Sequence, residues 1–243
     1  MIRAIRGGAI GQNGRGVVLG LGLLGLVLLA LTGCTTIPEP ENMPVPGENP
    51  ERPPPETHRF ADTLSICSGM TVSNAPRVEI SGKIADFTPL IAISGLRLAV
   101  APVPGACLSS GYGLRDGRLH KGLDYWAALG TPILAAGNGI VAEMTYRADY
   151  GNMILIDHGH GVYTRYAHLS AFGDDVEPGE AVRAGQVVGL MGNTSDQAIP
   201  VHLHYEILTG SYRTPKGSFG LTPVDPFGSN NGAINNDAVN NGD

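Results

Sequence analysis

The stretch Pro200-Val201-His202-Leu203-His204-Tyr205-Glu206-Ile207 alternates apolar and polar residues with a period of two. This pattern is typical of a β-strand with one buried face, because successive side chains of a strand point to opposite sides. We therefore expect four apolar side chains to face a core, namely Val201, Leu203, Tyr205 and Ile207. The three polar side chains, His202, His204 and Glu206, would share the opposite face.

Two imidazoles on one strand can both approach a single metal ion, although two surface histidines are an equally simple interpretation of this stretch alone. A second cluster lies about eighty residues upstream, where His120 and Asp124 occur within Leu119–Tyr125. Imidazole nitrogens and carboxylate oxygens are zinc ligands, at about 2.0–2.2 Å from the metal. Two histidines, one carboxylate and a position left for water are typical of catalytic zinc sites, whereas structural sites are usually closed and rich in cysteine.

Turn signals recur along the rest of the chain, which contains 35 glycines and 18 prolines. The glycines around His120 exclude a helix there, so the spacing of four between His120 and Asp124 does not mark a helix face. Short strands are predicted over Gly130–Ala136 and Gly139–Ala142, and Met153–Asp157 with Val162–His168 reads as a hairpin. We predict an all-β fold with a compact antiparallel sheet or sandwich core, little helix, and a groove that holds zinc.

The remaining histidines differ in how strongly the sequence supports a role in the site. His168 closes a predicted strand, a position from which a side chain can point into a cleft, although a hydrogen-bonded core histidine is the simpler interpretation. For His158 and His160, in the hairpin turn, and for His58 we favour a structural or solvated role. Asp149 and Asp157 have no partner pattern and receive no role.

The first 33 residues resemble an export signal. Arg3, Arg6 and Arg15 precede an apolar run, Val17–Leu31, that is shorter than the roughly twenty residues a membrane-spanning helix needs. Leu31-Thr32-Gly33-Cys34 resembles a bacterial lipobox, which implies that Cys34 is lipidated and anchors the chain to a membrane; an uncleaved signal anchor is the alternative. Because Thr35 is not aspartate, the resemblance implies a cell-envelope protein, on the outer membrane facing the periplasm if the host is Gram-negative.

Composition divides the chain into five parts. Residues 1–33 are the signal peptide, and residues 34–57 are a proline-rich tether that polyproline II could extend by up to roughly 60 Å. Residues 58–108 are predicted to form a leading, regulatory β segment with short strands in Val78–Ile84 and Leu90–Pro104, and residues 109–228 form the domain that contains the candidate zinc ligands. Residues 229–243 are rich in Asn, Gly and Asp and are predicted to be disordered.

The other two cysteines, Cys67 and Cys107, form an even pair in an oxidising compartment. A disulfide between them would close a loop of about forty residues and stabilise the fold by about 4 kcal/mol through loop entropy. Two buried free thiols are the alternative. Zinc ligation is less favoured because the chain has no Cys-x-x-Cys spacing.

Charge argues against nucleic acid as a partner. The formal net charge is −6, and without residues 1–33, which contain three arginines and no acidic residue, it is −9. No basic patch is present to attract an anionic polymer.

Three motifs occur in order: His120-x-x-x-Asp124, Tyr166-Ala167-His168-Leu169 and His202-x-His204. Gly111-Tyr112-Gly113-x-Arg115 precedes the first, and Gly185-x-x-x-Gly189-x-x-Gly192 precedes the last. Together they resemble the lysostaphin/LytM-type zinc metallopeptidases, which cut peptide cross-links in bacterial cell walls. The resemblance covers roughly residues 100–228 and ends in Pro223–Pro226, which is similar to the closing turn of that family.

The resemblance implies a role for five residues. His120, Asp124 and His204 would bind Zn²⁺, while His168 and His202 would be catalytic. One of these two histidines would take a proton from the zinc-activated water, and the other would stabilise the oxyanion. The substrate would be the stem peptides of peptidoglycan. Glu206 could orient a ligand, with ordinary structural use favoured, and Tyr112 and Tyr166 could line the groove, with core packing favoured.

Two other functions remain open. Some relatives have lost ligands and only activate other wall hydrolases, so a non-catalytic, wall-binding lipoprotein is the alternative, although every motif position is filled here. A latent enzyme is also conceivable, in which residues 58–108 cover the groove or Asn74 donates a fourth ligand.

Overall fold

The computed structural model of this chain describes residues 55–212 and 220–228. The predicted signal peptide, the lipobox with Cys34, nearly all of the tether and the predicted disordered tail lie outside the described residues. Within the described part, no helix is long and apolar enough to cross a membrane. The described secondary structure consists of strands: β1 Leu90–Ile93, β2 Leu96–Ala99, β3 Cys107–Ser110, β4 Gly113–Arg115, β5 Arg118–His120, β6 Leu123–Trp126, β7 Pro132–Leu134, β8 Gly139–Arg147, β9 Gly151–Asp157, β10 Val162–Ala167, β11 Ala171–Phe172, β12 Ala181–Val182, β13 Val187–Leu190, β14 Leu203–Gly210 and β15 Leu221–Val224.

An eight-stranded antiparallel sheet dominates the fold. Its strand order is β12-β8-β9-β10-β14-β6-β3, and β15 also pairs with β14. One edge of β14 pairs with β10 along most of its length. The other edge is shared, because β6 pairs with Leu203–Tyr205 and β15 pairs with Ile207–Gly210. The strand predicted to carry the His-x-His motif therefore lies near the centre of the sheet.

A smaller sheet, with the order β11-β13-β7, packs against one face of the large one. The two sheets share a single hydrophobic cluster, which includes Ile133 and Val188 from the small sheet and Ile154 and Ile156 from the large sheet. The prediction of an all-β fold with an antiparallel sheet and sandwich core is confirmed.

The two faces of β14 are divided as the alternation predicts. Leu203, Tyr205 and Ile207 are buried in the shared core, and Val201 packs against it from outside the strand. The strand begins at Leu203 because Pro200 has no backbone N–H to donate and His202 forms only one isolated bridge, with Gly192.

Strand lengths in two predicted stretches differ from the structure. β8 runs beyond the predicted Ala142 to Arg147, because its partner β9 begins as early as Gly151 and extends the hairpin. Conversely, Val78–Ile84 forms no strand: an isolated bridge joins its two ends, and a second joins Lys83 to Ser65. Ser81–Gly82 turns the chain there, and Gly82 has a φ of +82° that a regular strand cannot accommodate.

Residues 58–108 are built into the same core as the rest of the domain. Leu64, Ile91 and Leu98 belong to the cluster that also contains Leu203. The segment also runs alongside β3, where Ile66 and Ser73 form parallel bridges to Leu108 and Ser110. The predicted disulfide between Cys67 and Cys107 is present and fastens this pairing.

Candidate metal centre and active site

Three side-chain atoms from three strands converge on the face of the large sheet opposite the shared core. His120 Nε2 lies 3.0 Å from Asp124 Oδ1 and 3.1 Å from His204 Nδ1, and the last two atoms are 2.9 Å apart. All three residues are buried. Their ligand atoms are close enough together to bind one metal ion.

Local sequence explains how these residues meet. Asp124 and His204 are direct partners in the β6–β14 register. His120 ends β5, and Gly122 lets the chain pass close to β14 on its way to Asp124. A Cβ at Gly122 would lie 2.2 Å from the Tyr205 carbonyl oxygen, which leaves room for glycine only.

Both candidate histidine ligands have a fixed tautomer. His120 donates its Nδ1–H to the Gly111 carbonyl at 2.7 Å, which leaves the Nε2 lone pair facing the cluster. His204 donates its Nε2–H to Glu206 Oε1 at 3.0 Å, which directs Nδ1 towards the cluster. This is the arrangement expected of metal-binding histidines, whose second nitrogen usually donates to a carbonyl or carboxylate.

The electrostatics of the cluster favour a cation. Burial raises the pKa of Asp124, but hydrogen bonds from His120 and His204 outweigh it and hold that pKa well below its usual value. Burial lowers the pKa of His204, but the carboxylates of Asp124 and Glu206 outweigh it and raise that pKa to about 9. With this raised pKa, a proton on His204 supplies the positive charge beside the Asp124 carboxylate, and a bound cation would take its place. The residues present therefore fit a divalent metal.

Asp124 uses its two carboxylate oxygens differently. Oδ1 faces the two histidines, while Oδ2 accepts a hydrogen bond from Arg115 Nη1 at 3.2 Å. Arg115 Nη1 also donates to Ser110 Oγ at 3.0 Å. The Gly-Tyr-Gly-x-Arg motif thus supplies both the carbonyl that holds His120, from Gly111, and the guanidinium that holds Asp124.

His168 and His202 lie beside the three-residue cluster. Their ring centroids are 4.6 Å apart, and His168 is 6.1 Å from the His204 ring. His202 Nε2 lies 3.9 Å from Asp124 Oδ1. His168 donates its Nδ1–H to the Thr194 carbonyl and His202 donates its Nδ1–H to the Pro200 carbonyl, at 2.9 and 2.8 Å. Both rings therefore keep Nε2 as an acceptor.

The backbone of His168 is strained into the position that aims its ring. Its φ is +64°, a value that is uncommon for a residue other than glycine. Its N–H donates to the Tyr150 carbonyl at 2.8 Å. Burial is the main cause that lowers the pKa of His168, to about 4, so the ring is neutral at pH 7 and can accept a proton.

Three buried side chains that the sequence analysis missed or undervalued support His204. Glu206 accepts the His204 Nε2–H, which favours the orienting role over ordinary structural use. Tyr150 donates its hydroxyl to Glu206 Oε1 at 2.7 Å, and Arg165 donates from Nη1 to Glu206 Oε2. Tyr150 and Arg165 belong to no motif, and their spacing in the sequence gives no signal of this contact.

Among the described residues, none of the remaining candidates forms a hydrogen bond to the three clustered side chains. His158 is buried between the Asn138 carbonyl and Thr164, and His160 and His58 are exposed. Tyr166 is buried in the shared core, where its hydroxyl accepts the Ala136 N–H, and Tyr112 packs against the same core. Tyr166 is therefore a core residue, whereas Tyr112 is only partly buried.

Asn74 contacts the loop that supports His120. Its Nδ2 donates to the Leu114 carbonyl at 3.2 Å, and Gly111 donates its N–H to the neighbouring Ser73 carbonyl at 2.8 Å. Among the described residues, no hydrogen bond joins Asn74 to the three clustered side chains.

Comparison with known proteins identifies one family. The sequence profile described as Peptidase family M23 matches residues 118–217, a range that contains all five clustered residues. The chain is 40% identical over 113 residues to the DD-carboxypeptidase/endopeptidase Mpg of Neisseria meningitidis, covering 44% of this chain and 25% of that protein. It is 41% identical over 100 residues to the Peptidoglycan DD-endopeptidase ShyC of Vibrio cholerae, covering 41% and 22%.

A third relative matches over a longer stretch. The lipoprotein YgeR of Escherichia coli is 32% identical over 184 residues, which cover 72% of this chain and 67% of the relative. The matches to the Neisseria and Vibrio proteins span only about a quarter of the length of those relatives.

Proposed function

The chain belongs to peptidase family M23, and from that membership we propose that it is a zinc-dependent endopeptidase that hydrolyses the peptide cross-links of bacterial peptidoglycan. The observation that carries this proposal is the convergence of His120 Nε2, Asp124 Oδ1 and His204 Nδ1, 2.9–3.1 Å apart, beside two further histidines.

Zinc fits this set of ligands best. The three atoms are two imidazole nitrogens and one carboxylate oxygen, a combination found in catalytic zinc sites that keep a position for water. Magnesium and calcium prefer oxygen ligands alone, and no cysteine lies in the cluster. Bound zinc would lower the pKa of a water molecule towards 7 and polarise the scissile carbonyl.

The protein side chains then divide the remaining work. His120, Asp124 and His204 hold the metal, each oriented by a hydrogen bond from outside the cluster. His168 and His202 present acceptor Nε2 atoms next to it, so that one takes a proton from water and the pair returns one to the leaving amine. Once protonated, an imidazole also stabilises the negative charge that develops on the carbonyl oxygen.

The substrate class is supported by the family and by the names of relatives. The Vibrio relative is named a peptidoglycan DD-endopeptidase and the Neisseria relative a DD-carboxypeptidase/endopeptidase. Peptide cross-links between stem peptides are therefore the substrate we propose.

Attachment to a membrane would restrict where the enzyme acts. The E. coli relative is named a lipoprotein, and Leu31–Cys34 of this chain resembles a lipobox. We infer that the protein is anchored in the cell envelope through a lipid on Cys34, and that the proline-rich tether lets the domain reach the wall.

The test is digestion of intact sacculi by the protein beginning at residue 35, followed by separation of the released muropeptides. We expect cross-linked dimers to become monomers, and a zinc chelator or the variant His202→Asn to stop this conversion. Stoichiometric zinc without conversion would contradict the endopeptidase and support the alternative, a wall-binding activator of other hydrolases. Absence of bound zinc would contradict the metal site.

A further inference from the structure

Four buried side chains contact one another around the candidate metal ligand His204. We call them the His204 support: His204, Glu206, Tyr150 and Arg165. Glu206 Oε1 accepts hydrogen bonds from His204 Nε2 at 3.0 Å and from the Tyr150 hydroxyl at 2.7 Å. Glu206 Oε2 accepts from Arg165 Nη1, which also donates to the Tyr150 hydroxyl at 3.3 Å. Every polar atom of the Glu206 carboxylate is therefore occupied.

Ring contacts close the same group. The Arg165 guanidinium lies 4.8 Å from the centre of the Tyr150 ring, and that ring lies 5.7 Å from the His204 ring. Arg165 and Glu206 are direct partners in the β10–β14 register, so the sheet itself fixes their separation. Tyr150 also holds the other half of the site, because its carbonyl accepts the His168 N–H.

Burying the Arg165 guanidinium at this position costs free energy. Its side chain is fully buried, yet its Nε and Nη2 atoms have no hydrogen-bond partner among the described residues. Buried ion pairs are often no more stabilising than apolar residues of similar size, and unpaired buried N–H groups add a further cost. A side chain that serves stability alone would not be expected to have this arrangement.

We propose that Arg165 and Tyr150 are positioning residues that act through Glu206 on the metal ligand His204. They hold the carboxylate where Oε1 receives His204 Nε2–H, which fixes both the orientation and the tautomer in which Nδ1 faces His120 and Asp124. This inference rests on the metal site of the proposed function, but it concerns metal binding and not peptide cleavage.

The first test compares zinc affinity in two hydroxyl deletions. Tyr150→Phe removes the hydrogen bond to Glu206 and keeps the ring and the backbone contact with His168. We expect zinc to bind about fivefold more weakly, the equivalent of one hydrogen bond, in a competition titration with a chromophoric chelator. Tyr146→Phe is the matched control, since Tyr146 is exposed and its hydroxyl bonds Asp196 instead. Equal affinity in the two variants would contradict the role of Tyr150.

The second test separates positioning from stability. The double variant Arg165→Met with Glu206→Leu replaces the ion pair with apolar side chains of similar size, but it leaves the His204 Nε2–H and the Tyr150 hydroxyl without their acceptor. Urea unfolding therefore checks that the variant is still folded. Zinc affinity should nevertheless fall by about 10- to 100-fold, as for other partners of metal-binding histidines. A double variant that is folded and binds zinc with unchanged affinity would overturn the proposal.

A third measurement does not depend on metal. In the metal-free protein, the His204 Nε2–H should give a slowly exchanging imidazole N–H signal in NMR spectra, and the double variant should lose it. If the unaltered protein also lacks this signal, the proposed hydrogen bond is wrong. If zinc binding and the signal behave as expected but sacculi are not cleaved, only the proposed enzymatic function fails.

Discussion

Asp124 and His204 face each other directly across β6 and β14, and Asp124 Oδ1 lies 2.9 Å from His204 Nδ1. The pairing is set by strand register, and a slip of one residue would turn Asp124 to the opposite face of the sheet. The large antiparallel sheet therefore brings together two side chains that are eighty positions apart in the sequence. The candidate metal site is therefore built on paired strands of the sheet.

Removal of a ligand should abolish metal binding and activity together. In Asp124→Ala and His204→Ala, we expect bound zinc to fall from one ion per chain to none, because two remaining ligands cannot compete with a chelator. Metal analysis after dialysis measures the stoichiometry. His58→Ala is the control, because His58 is exposed and outside the cluster. Retention of one zinc ion in either ligand variant would show that the metal is bound elsewhere.

The two proposed catalytic histidines should behave differently from the proposed metal ligands. His168→Asn should leave zinc bound but reduce turnover of cross-linked muropeptides by about 10²- to 10⁴-fold, the usual contribution of general acid–base catalysis. Asparagine is chosen because it tolerates the positive φ of residue 168 better than alanine does. Turnover close to that of the unaltered enzyme would assign His168 a structural role.

Much of the fold and of the candidate site could be predicted from the sequence because both depend on local patterns. The alternation in Pro200–Ile207 determines which face of β14 packs in the shared core, although the opposite face with His204 and Glu206 is buried as well. The hairpin between β9 and β10 follows from the turn residues around His160. The five histidine and aspartate residues occur in recognisable motifs, and the structure brings all five together.

The remaining parts depend on contacts between distant residues, for which a single sequence carries no signal. Tyr150 and Arg165 meet Glu206 only because β10 and β14 are paired, and a buried arginine looks like any surface arginine in the sequence. Likewise, Val78–Ile84 has the alternation of a strand but lacks a neighbouring strand to pair with along its length. Pairing between distant strands therefore determines both the contacts of Glu206 and the absence of a regular strand in Val78–Ile84.

His158 predicts how stability depends on pH. Burial is the main cause that lowers its pKa from 6.5 to about 4. The unfolded chain thus binds more protons than the folded chain between these two values, so the full stability is present above pH 6.5 and is lost as pH falls towards 4. At pH 5 the loss due to His158 should be about 2 kcal/mol in the free energy of unfolding.

Urea unfolding at pH 7.5 and pH 5 in the presence of a chelator measures this effect. His158→Gln should reduce the difference in stability between the two pH values by about 2 kcal/mol, even if the variant is less stable at both. His58→Gln, which alters an exposed histidine, should leave the difference unchanged. An unchanged difference in His158→Gln would show that His158 titrates normally in the folded protein.

The disulfide should contribute measurably to stability. Cys67 and Cys107 are 40 residues apart in sequence, and closing this loop restricts the unfolded chain. Cys67→Ser with Cys107→Ser should lower the free energy of unfolding by about 4 kcal/mol in urea titrations. Reduction with a thiol should have a similar effect on the unaltered protein and no effect on the variant. Equal stability of the two proteins would mean that pairing along β3 suffices to order the leading segment.

The leading segment should prove indispensable for folding. A chain that begins at Ser109 lacks Leu64, Ile91 and Leu98, which are buried in the shared core, and it also lacks the disulfide. Each fully buried aliphatic side chain contributes about 1.5–3 kcal/mol, against a typical domain stability of 5–15 kcal/mol. We therefore expect the shortened chain to lose its cooperative unfolding transition in circular dichroism and to bind no zinc. A shortened chain that folds and cleaves sacculi faster than the longer one would instead identify residues 58–108 as an inhibitory cover over the site.

Asn74→Gly tests that alternative without shortening the chain, because it removes the amide that bonds Leu114 and suits the positive φ of residue 74. Its activity should match that of the unaltered protein.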